Sequence, residues 1–268
     1  MSTMSVMHQL RISRFSLSLL TLVLAVSAGA CAPKRNTVPP GTAQPDRYLL
    51  NRGNEEMKDN NWFNAREYFR QIVDNYPQSA LRPEAKLGIG DTYLGEGTTE
   101  ALVLAGNEFR EFLTFYPTNP RADYAQFKLA QSHAKQMRAA ERDQTETKEA
   151  IREFEVFFQR YPNSPLMPEV KKQWREARDR LSEASYRVGL FYFRIKHYRG
   201  AIDRLREVLK EDSGYTKRDA VYYYLAESLV RSNEKAAALP YYERLLNEFD
   251  QSEYLDDARK RVAELKAP

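Results

Sequence analysis

One thiol is the group in this chain best placed for covalent chemistry. Cys31 is the single cysteine among 268 residues, so it has no partner for an internal disulfide. It follows Ser27-Ala28-Gly29-Ala30, and these follow a largely apolar run from Phe15 to Val26. Ahead of that run stand His8, Arg11 and Arg14, with no acid. A cationic start, a short apolar middle and a small-residue end describe a secretory signal peptide over residues 1–30, cut so that Cys31 becomes the first residue. The apolar run is too short for a membrane-spanning helix. Met1, Met4 and Met7 are all candidate starts. Beyond the leader, groups able to catalyse do not converge. His133 takes the repeat place that Tyr93 holds one repeat earlier, and His197 precedes Tyr198 at a helical turn, so both read as structural histidines. No glycine-rich phosphate loop, HExxH sequence, nucleophile elbow or Cys/His cluster is present. The chain is expected to be no enzyme and to hold no metal and no cofactor.

Gly29-Ala30-Cys31 resembles the lipobox of bacterial lipoproteins, with Ala28 where leucine is usual. That resemblance implies a diacylated Cys31 thiol and an acylated new amino terminus. Each buried methylene contributes about 0.8 kcal/mol, so two or more acyl chains hold a protein on a membrane stably. Ala32 comes next, and lipoproteins lacking aspartate there resemble those sorted to the outer membrane. The alternative is an ordinary signal peptide with an incidental cysteine. Residues 31–45 contain Pro33, Pro39, Pro40 and Pro45 and no hydrophobic periodicity, which reads as a tether spanning roughly 20 Å if flexible.

The elements that follow are helices in repeats. Charged residues make up 29% of the chain and hydrophobic ones 42%, with 11 glycines, a mixture suited to helices with one wet face. Formal net charge is +4, and the leader's Arg11 and Arg14 supply two of those charges. So balanced a surface gives no electrostatic reason to expect nucleic acid. From residue 46 onward a unit Ala-x3-Φ-x2-Φ-Φ-x2-aromatic recurs. It reads Ala65, Phe69, Ile72, Val73, Tyr76; then Ala105, Phe109, Phe112, Leu113, Tyr116; then Ala150, Phe154, Phe157, Phe158, Tyr161. The fourth copy, Ala201, Leu205, Val208, Leu209, ends in Asp212, and the fifth is Ala238, Tyr242, Leu245, Leu246, Phe249. Steps of four, seven, eight and eleven put each set on one helical stripe. Pro77, Pro117 and Pro162 stop the first three helices. Upstream, Gly53, Gly90, Ala130, Gly189 and Ala226 mark a companion helix whose small residue allows close antiparallel packing.

This pattern is similar to the tetratricopeptide repeat. The expected fold is all-α: a right-handed superhelical solenoid of five such hairpins, with a capping helix over Leu255 to Lys266 and a long first helix, Glu169 to Arg194, in repeat four. Hairpins that cannot hide their apolar faces alone must stack, leaving a groove for another polypeptide. The run Tyr222-Tyr223-Tyr224 and the pair Tyr241-Tyr242 are open to two readings, binding surface or packing between hairpins.

Arg142-Asp143-Gln144-Thr145, Tyr161-Pro162-Asn163-Ser164, and then Arg180-Leu181, Tyr186-Arg187-Val188, Phe191-Tyr192 and His197-Tyr198 narrow the likeness. These stretches resemble the BamD family, lipoproteins of the outer-membrane β-barrel assembly machinery. The resemblance implies an outer-membrane protein on the periplasmic face, with the inner leaflet, a POTRA domain of the barrel subunit BamA, other Bam lipoproteins and unfolded β-barrel proteins as partners. It implies repeats 1–3 (46–164) on the substrate side and repeats 4–5 with the cap (165–268) on the BamA side. Arg204 and Asp203 are the expected BamA-facing residues, with a plain solvated arginine as the competing reading of Arg204. In the generic repeat register, Arg47, Leu50, Asn54, Met57, Leu87, Asp91 and Leu94 would line the substrate groove. The alternative function is that of another periplasmic repeat lipoprotein coordinating cell-envelope or division processes.

Overall fold

The computed structural model describes residues 37–267. The leader and Cys31 lie outside the described residues. The chain divides into two units, Met1–Gly41 and Thr42–Pro268. The second unit contains eleven helices among the described residues: α1 Pro45–Lys58, α2 Trp62–Asn75, α3 Arg82–Glu96, α4 Thr99–Phe115, α5 Ala122–Ala134, α6 Thr145–Arg160, α7 Met167–Arg194, α8 Tyr198–Glu211, α9 Arg218–Arg231, α10 Lys235–Glu248 and α11 Leu255–Lys266. They pair in chain order as five hairpins, with α11 against α10 as the cap.

The repeat unit explains the pairing. Its alanine and its next two apolar residues are buried in every hairpin, from Ala65, Phe69 and Ile72 to Ala238, Tyr242 and Leu245. Each large side chain so placed contributes about 1.5–3 kcal/mol. The companion helix comes close because it carries glycine: a Cβ at Gly90 would lie 2.7 Å from the Phe109 ring, and one at Gly189 would lie 2.7 Å from Leu205. What these glycines admit is the residue one turn beyond the repeat alanine, rather than the alanine itself. Seven residues after the small residue the chain reverses on a left-handed residue in four hairpins: Asn60, Gly97, Lys196 and Asn233, with φ of 59°, 70°, 62° and 66°. Hairpin three, with its longer α5–α6 connection, has no left-handed residue at its turn.

A polar clasp ties three hairpins to the connection that leaves them. Asp46, Asp123 and Asp219 stand in the first turn of α1, α5 and α9, where a carboxylate suits the positive helix end. They accept from the hydroxyls of Ser79, Ser164 and Ser252 at 2.6, 2.6 and 2.7 Å. Each serine oxygen in turn accepts a backbone N–H two residues on, from Leu81, Leu166 and Tyr254. Hairpin four uses a different device. Asp212, which replaces the repeat aromatic, is buried and accepts from Arg175, from Ser182 Oγ at 2.6 Å and from the Gly214 N–H at 3.2 Å.

The first helices of successive hairpins also touch (α1 with α3, α3 with α5, α5 with α7, α7 with α9), whereas second helices of neighbouring hairpins make no comparable contact. An array tight on one side and splayed on the other curves, with the first helices on its inner face. The tyrosine run is packing between elements. Tyr222 is buried, Tyr223 stacks on Tyr254 with ring centroids 4.6 Å apart, and Tyr224 meets Phe193 edge-on at 5.1 Å.

Candidate partner-binding surfaces

On the inner face of the first hairpins, the expected groove residues divide. Leu50, Leu87 and Leu94 are only 4%, 1% and 6% exposed, which removes them from the groove. They stand three residues before Gly53, three before Gly90 and four after Gly90, so they share the face that packs against the second helix. Arg47 and Asn54 are exposed, and Met57 and Asp91 are half-buried. Arg47 Nε donates to Gln44 at 3.2 Å.

Asp91 is the member with a defined environment. It bridges α3 to α5 by accepting from the Tyr124 hydroxyl at 2.8 Å. Burial pushes its carboxyl above the usual range, against the opposing pull of Tyr124, Lys128 and Arg121. The Tyr124 ring carries cations on its faces, with the Arg121 guanidinium 4.4 Å and Lys128 Nζ 5.3 Å from its centroid. Burial draws the Lys128 ammonium below its ordinary value. Tyr124 and Lys128 escaped the sequence reading because the repeat register marks positions facing inward along one hairpin, not contacts between hairpins.

The second surface belongs to α7. Val170, Trp174, Ala177, Leu181, Val188 and Phe191, with Ile195 at the C-cap, recur at three- and four-residue steps or their multiples along one side of this 28-residue helix. The first part of that stripe covers hairpin three: Val170 is fully buried against Phe127, Ala150, Phe154 and Phe157, with Trp174 packed beside it. The helix then runs past the end of hairpin three. There Val188, Phe191 and Ile195 are 43%, 57% and 54% exposed. The opposite side of the same segment, with Tyr186, Leu190 and Phe193, packs into the core shared by α8 to α11.

Beside the bare stripe a cavity of about 400 Å³ opens between α6, α7 and α8. Leu181, Val188 and Val208 supply its apolar wall, and Lys148, Arg178, Arg204, Glu207 and Glu211 its charged rim. Arg204 Nη1 pairs with Glu207 at 2.9 Å, and both side chains are exposed. Arg178 donates to the Glu211 carbonyl while its buried Nε has no acceptor. Asp203 does not line this cavity. Consecutive helical residues point about 100° apart, so Asp203 falls on the outer side of α8 while Arg204 reaches the rim. Asp203 and Arg204, the two residues expected to face BamA, are both exposed and point about 100° apart.

The histidines have structural partners. His133 Nδ1 lies 2.7 Å from Glu146, and His197 Nδ1 accepts the Gly200 N–H at 3.1 Å as the cap of α8. No helix among the described residues is long and apolar enough to cross a membrane.

Comparison with known proteins places this chain in a family. Outer membrane protein assembly factor BamD of Caulobacter vibrioides is 25% identical over 227 residues, 83% of this chain and 73% of that protein. BamD of Vibrio cholerae is 24% identical over 190 residues, 67% of this chain and 76% of that protein. Among solved structures, the TPR2AB domain of yeast Sti1 aligns with 83% of this chain and 98% of its own at 10% identity, with a TM-score of 0.42. The family model described as YfiO, outer membrane lipoprotein, matches residues 42–237, the first four hairpins and α9 up to the start of α10, and this chain belongs to that family, the BamD assembly factors of the outer membrane.

Proposed function

We propose that this chain is a lipid-anchored scaffold of the β-barrel assembly machinery, held to the periplasmic face of the outer membrane by acylated Cys31. A POTRA domain of BamA would seat on the uncovered face of α7, with Arg204 at the edge of that seat and other Bam lipoproteins joining the assembled complex. Unfolded β-barrel proteins would lie along the inner face of α1, α3 and α5, meeting Arg47, Asn54, Met57 and Asp91. The observation that carries the reading is Val188, Phe191 and Ile195, an apolar stripe whose first half is buried and whose second half is bare. Large side chains left exposed in a row mark a protein-binding surface.

The test is copurification of the full chain with its matching POTRA-containing barrel subunit from detergent-solubilised membranes. Wild-type protein should retain the subunit, and Arg204→Glu or Phe191→Ser should weaken retention. Capture of no POTRA protein by demonstrably folded wild-type chain would refute the assignment. Cys31→Ser should move the chain from the membrane to the soluble periplasmic fraction.

A further inference from the structure

The outer face of the last two hairpins carries a small cleft that the scaffold reading does not use. It lies between α8 and α10, second helices of neighbouring hairpins, and has a volume of about 200 Å³. Its lining is Arg206 from α8 and Ala237, Pro240, Tyr241 and Arg244 from α10. Two of five lining residues are arginines, and none is an acid. Among the described residues Arg206 and Arg244 have no hydrogen bond or ion pair, and neither has the Tyr241 hydroxyl. Nearby arginines are spent within the fold: Arg204 on Glu207, Arg218 on Glu248, and Arg261 on Glu227. Arg199 and Lys210 share the outer side of α8 with Arg206, being seven residues before it and four after it. Asp203, on the same side, forms no ion pair with them.

We propose that this cleft binds a phosphate group. Two guanidinium forks, on separate helices, and a phenol line this one cleft and offer several donors to a single anion. A carboxylate has two oxygens in one plane and satisfies a single fork, whereas a tetrahedral phosphomonoester has three terminal oxygens to share between both forks and the hydroxyl. Ala237 and Pro240 leave an apolar floor that suits the esterified side of a phosphate ester. The phosphate comes either from a phospholipid headgroup or from a soluble phosphate ester, and the site is independent of the α7 surface.

The full chain carrying Cys31→Ser, which cannot be acylated, is sedimented with vesicles containing phosphatidic acid, whose headgroup is a phosphomonoester. The same chain is titrated with glycerol phosphate while phosphorus resonances are followed. Arg206→Ala with Arg244→Ala should weaken binding at least tenfold, and replacing both by lysine should restore part of it. Arg199→Ala with Lys210→Ala removes the same charge outside the cleft and should weaken binding no more than about twofold. Inorganic phosphate should displace the chain, and chloride at equal ionic strength should not. Saturable binding of glycerol phosphate assigns a soluble ester, and binding to vesicles alone assigns the headgroup. The proposal is overturned if both alanine pairs weaken binding equally, if chloride competes as well as phosphate, or if neither probe binds.

Discussion

Two aspartates, Asp212 and Asp91, show how a single partner decides what burial does to a carboxylate. Burial alone would raise Asp212, but Arg175, Ser182 and Arg178 together hold it below its ordinary value of 3.8. A depressed folded value contributes stability above about pH 4, and that contribution disappears as pH falls through the folded value. Asp212→Asn should therefore lose about 1–3 kcal/mol near neutrality, the worth of hydrogen bonds to a charged group. Urea melts of variant and wild type should converge as the solution is acidified. Asp91 has Tyr124 but no ion pair, and burial raises it above 3.8. Its ionised form costs folding energy at neutral pH, and the cost vanishes once the pH falls below the unfolded value. Asp91→Asn keeps an acceptor for Tyr124, so the variant should be more stable than wild type at pH 7 and equal to it in acid. Parallel melts against pH settle the sign. The sequence made Asp212 visible as a departure from the repeat, but its role depends on Arg175, 37 residues away, and no local pattern reports such a partner.

At the scale of the element, the stripes were legible because burial of one face imposes a 3.6-residue period, and that period is written in residue types. The ends of α2, α4 and α6 were legible for another reason, since Pro77, Pro117 and Pro162 cannot continue a helix. Coverage was not. Whether Phe191 is wet depends on α5 and α6 ending where they do relative to α7, a fact about lengths in space rather than about residues 188–195. The leucines assigned to the groove erred in the complementary direction, since position along a first helix does not tell an inward face from a packed one without the second helix in place. Two predictions belong here. Gly90→Ala would drive a Cβ to 2.7 Å from the Phe109 ring, and overpacking of this kind costs about 1–3 kcal/mol. The melting temperature should fall, while Gly97→Asn, at an exposed left-handed turn that asparagine tolerates, should change it little. Phe191→Ser combined with Ile195→Ser should leave melting unchanged, because both side chains are already more than half exposed. Affinity for the POTRA partner should nonetheless fall at least tenfold, the loss of one interface anchor of about 1.4 kcal/mol or more. A drop in stability equal to the drop in binding would count against a docking role.

Across the whole molecule, α7 is the member on which the two halves depend. Its first turns complete a core with Phe127, Phe154 and Phe157, and its last turns complete another with Leu205, Tyr222 and Tyr242. Between them lies a polar stretch, Arg175 to Ser182, anchored to Asp212. Side contacts cross the same region: Arg187 pairs with Glu141, and Arg180 donates to the Arg138 carbonyl at 2.9 Å. In a solenoid, each unit gains most of its stability from immediate neighbours, so cooperativity passes through whatever joins them. Here the joint is one helix with few apolar contacts at its middle. Ala184→Pro removes a helical N–H there and crowds the preceding turn, at a cost of about 3 kcal/mol. Each core keeps its own packing, so urea unfolding of the variant should separate into two transitions. Amide protection should fall first near residues 180–188 while α2 to α6 and α9 to α10 remain protected. The α7 cavity draws Lys148 from one half and Arg204 from the other, so partner binding should weaken even where both halves stay folded. A single transition, merely shifted to lower urea, would mean that the two cores are coupled by contacts other than this helix.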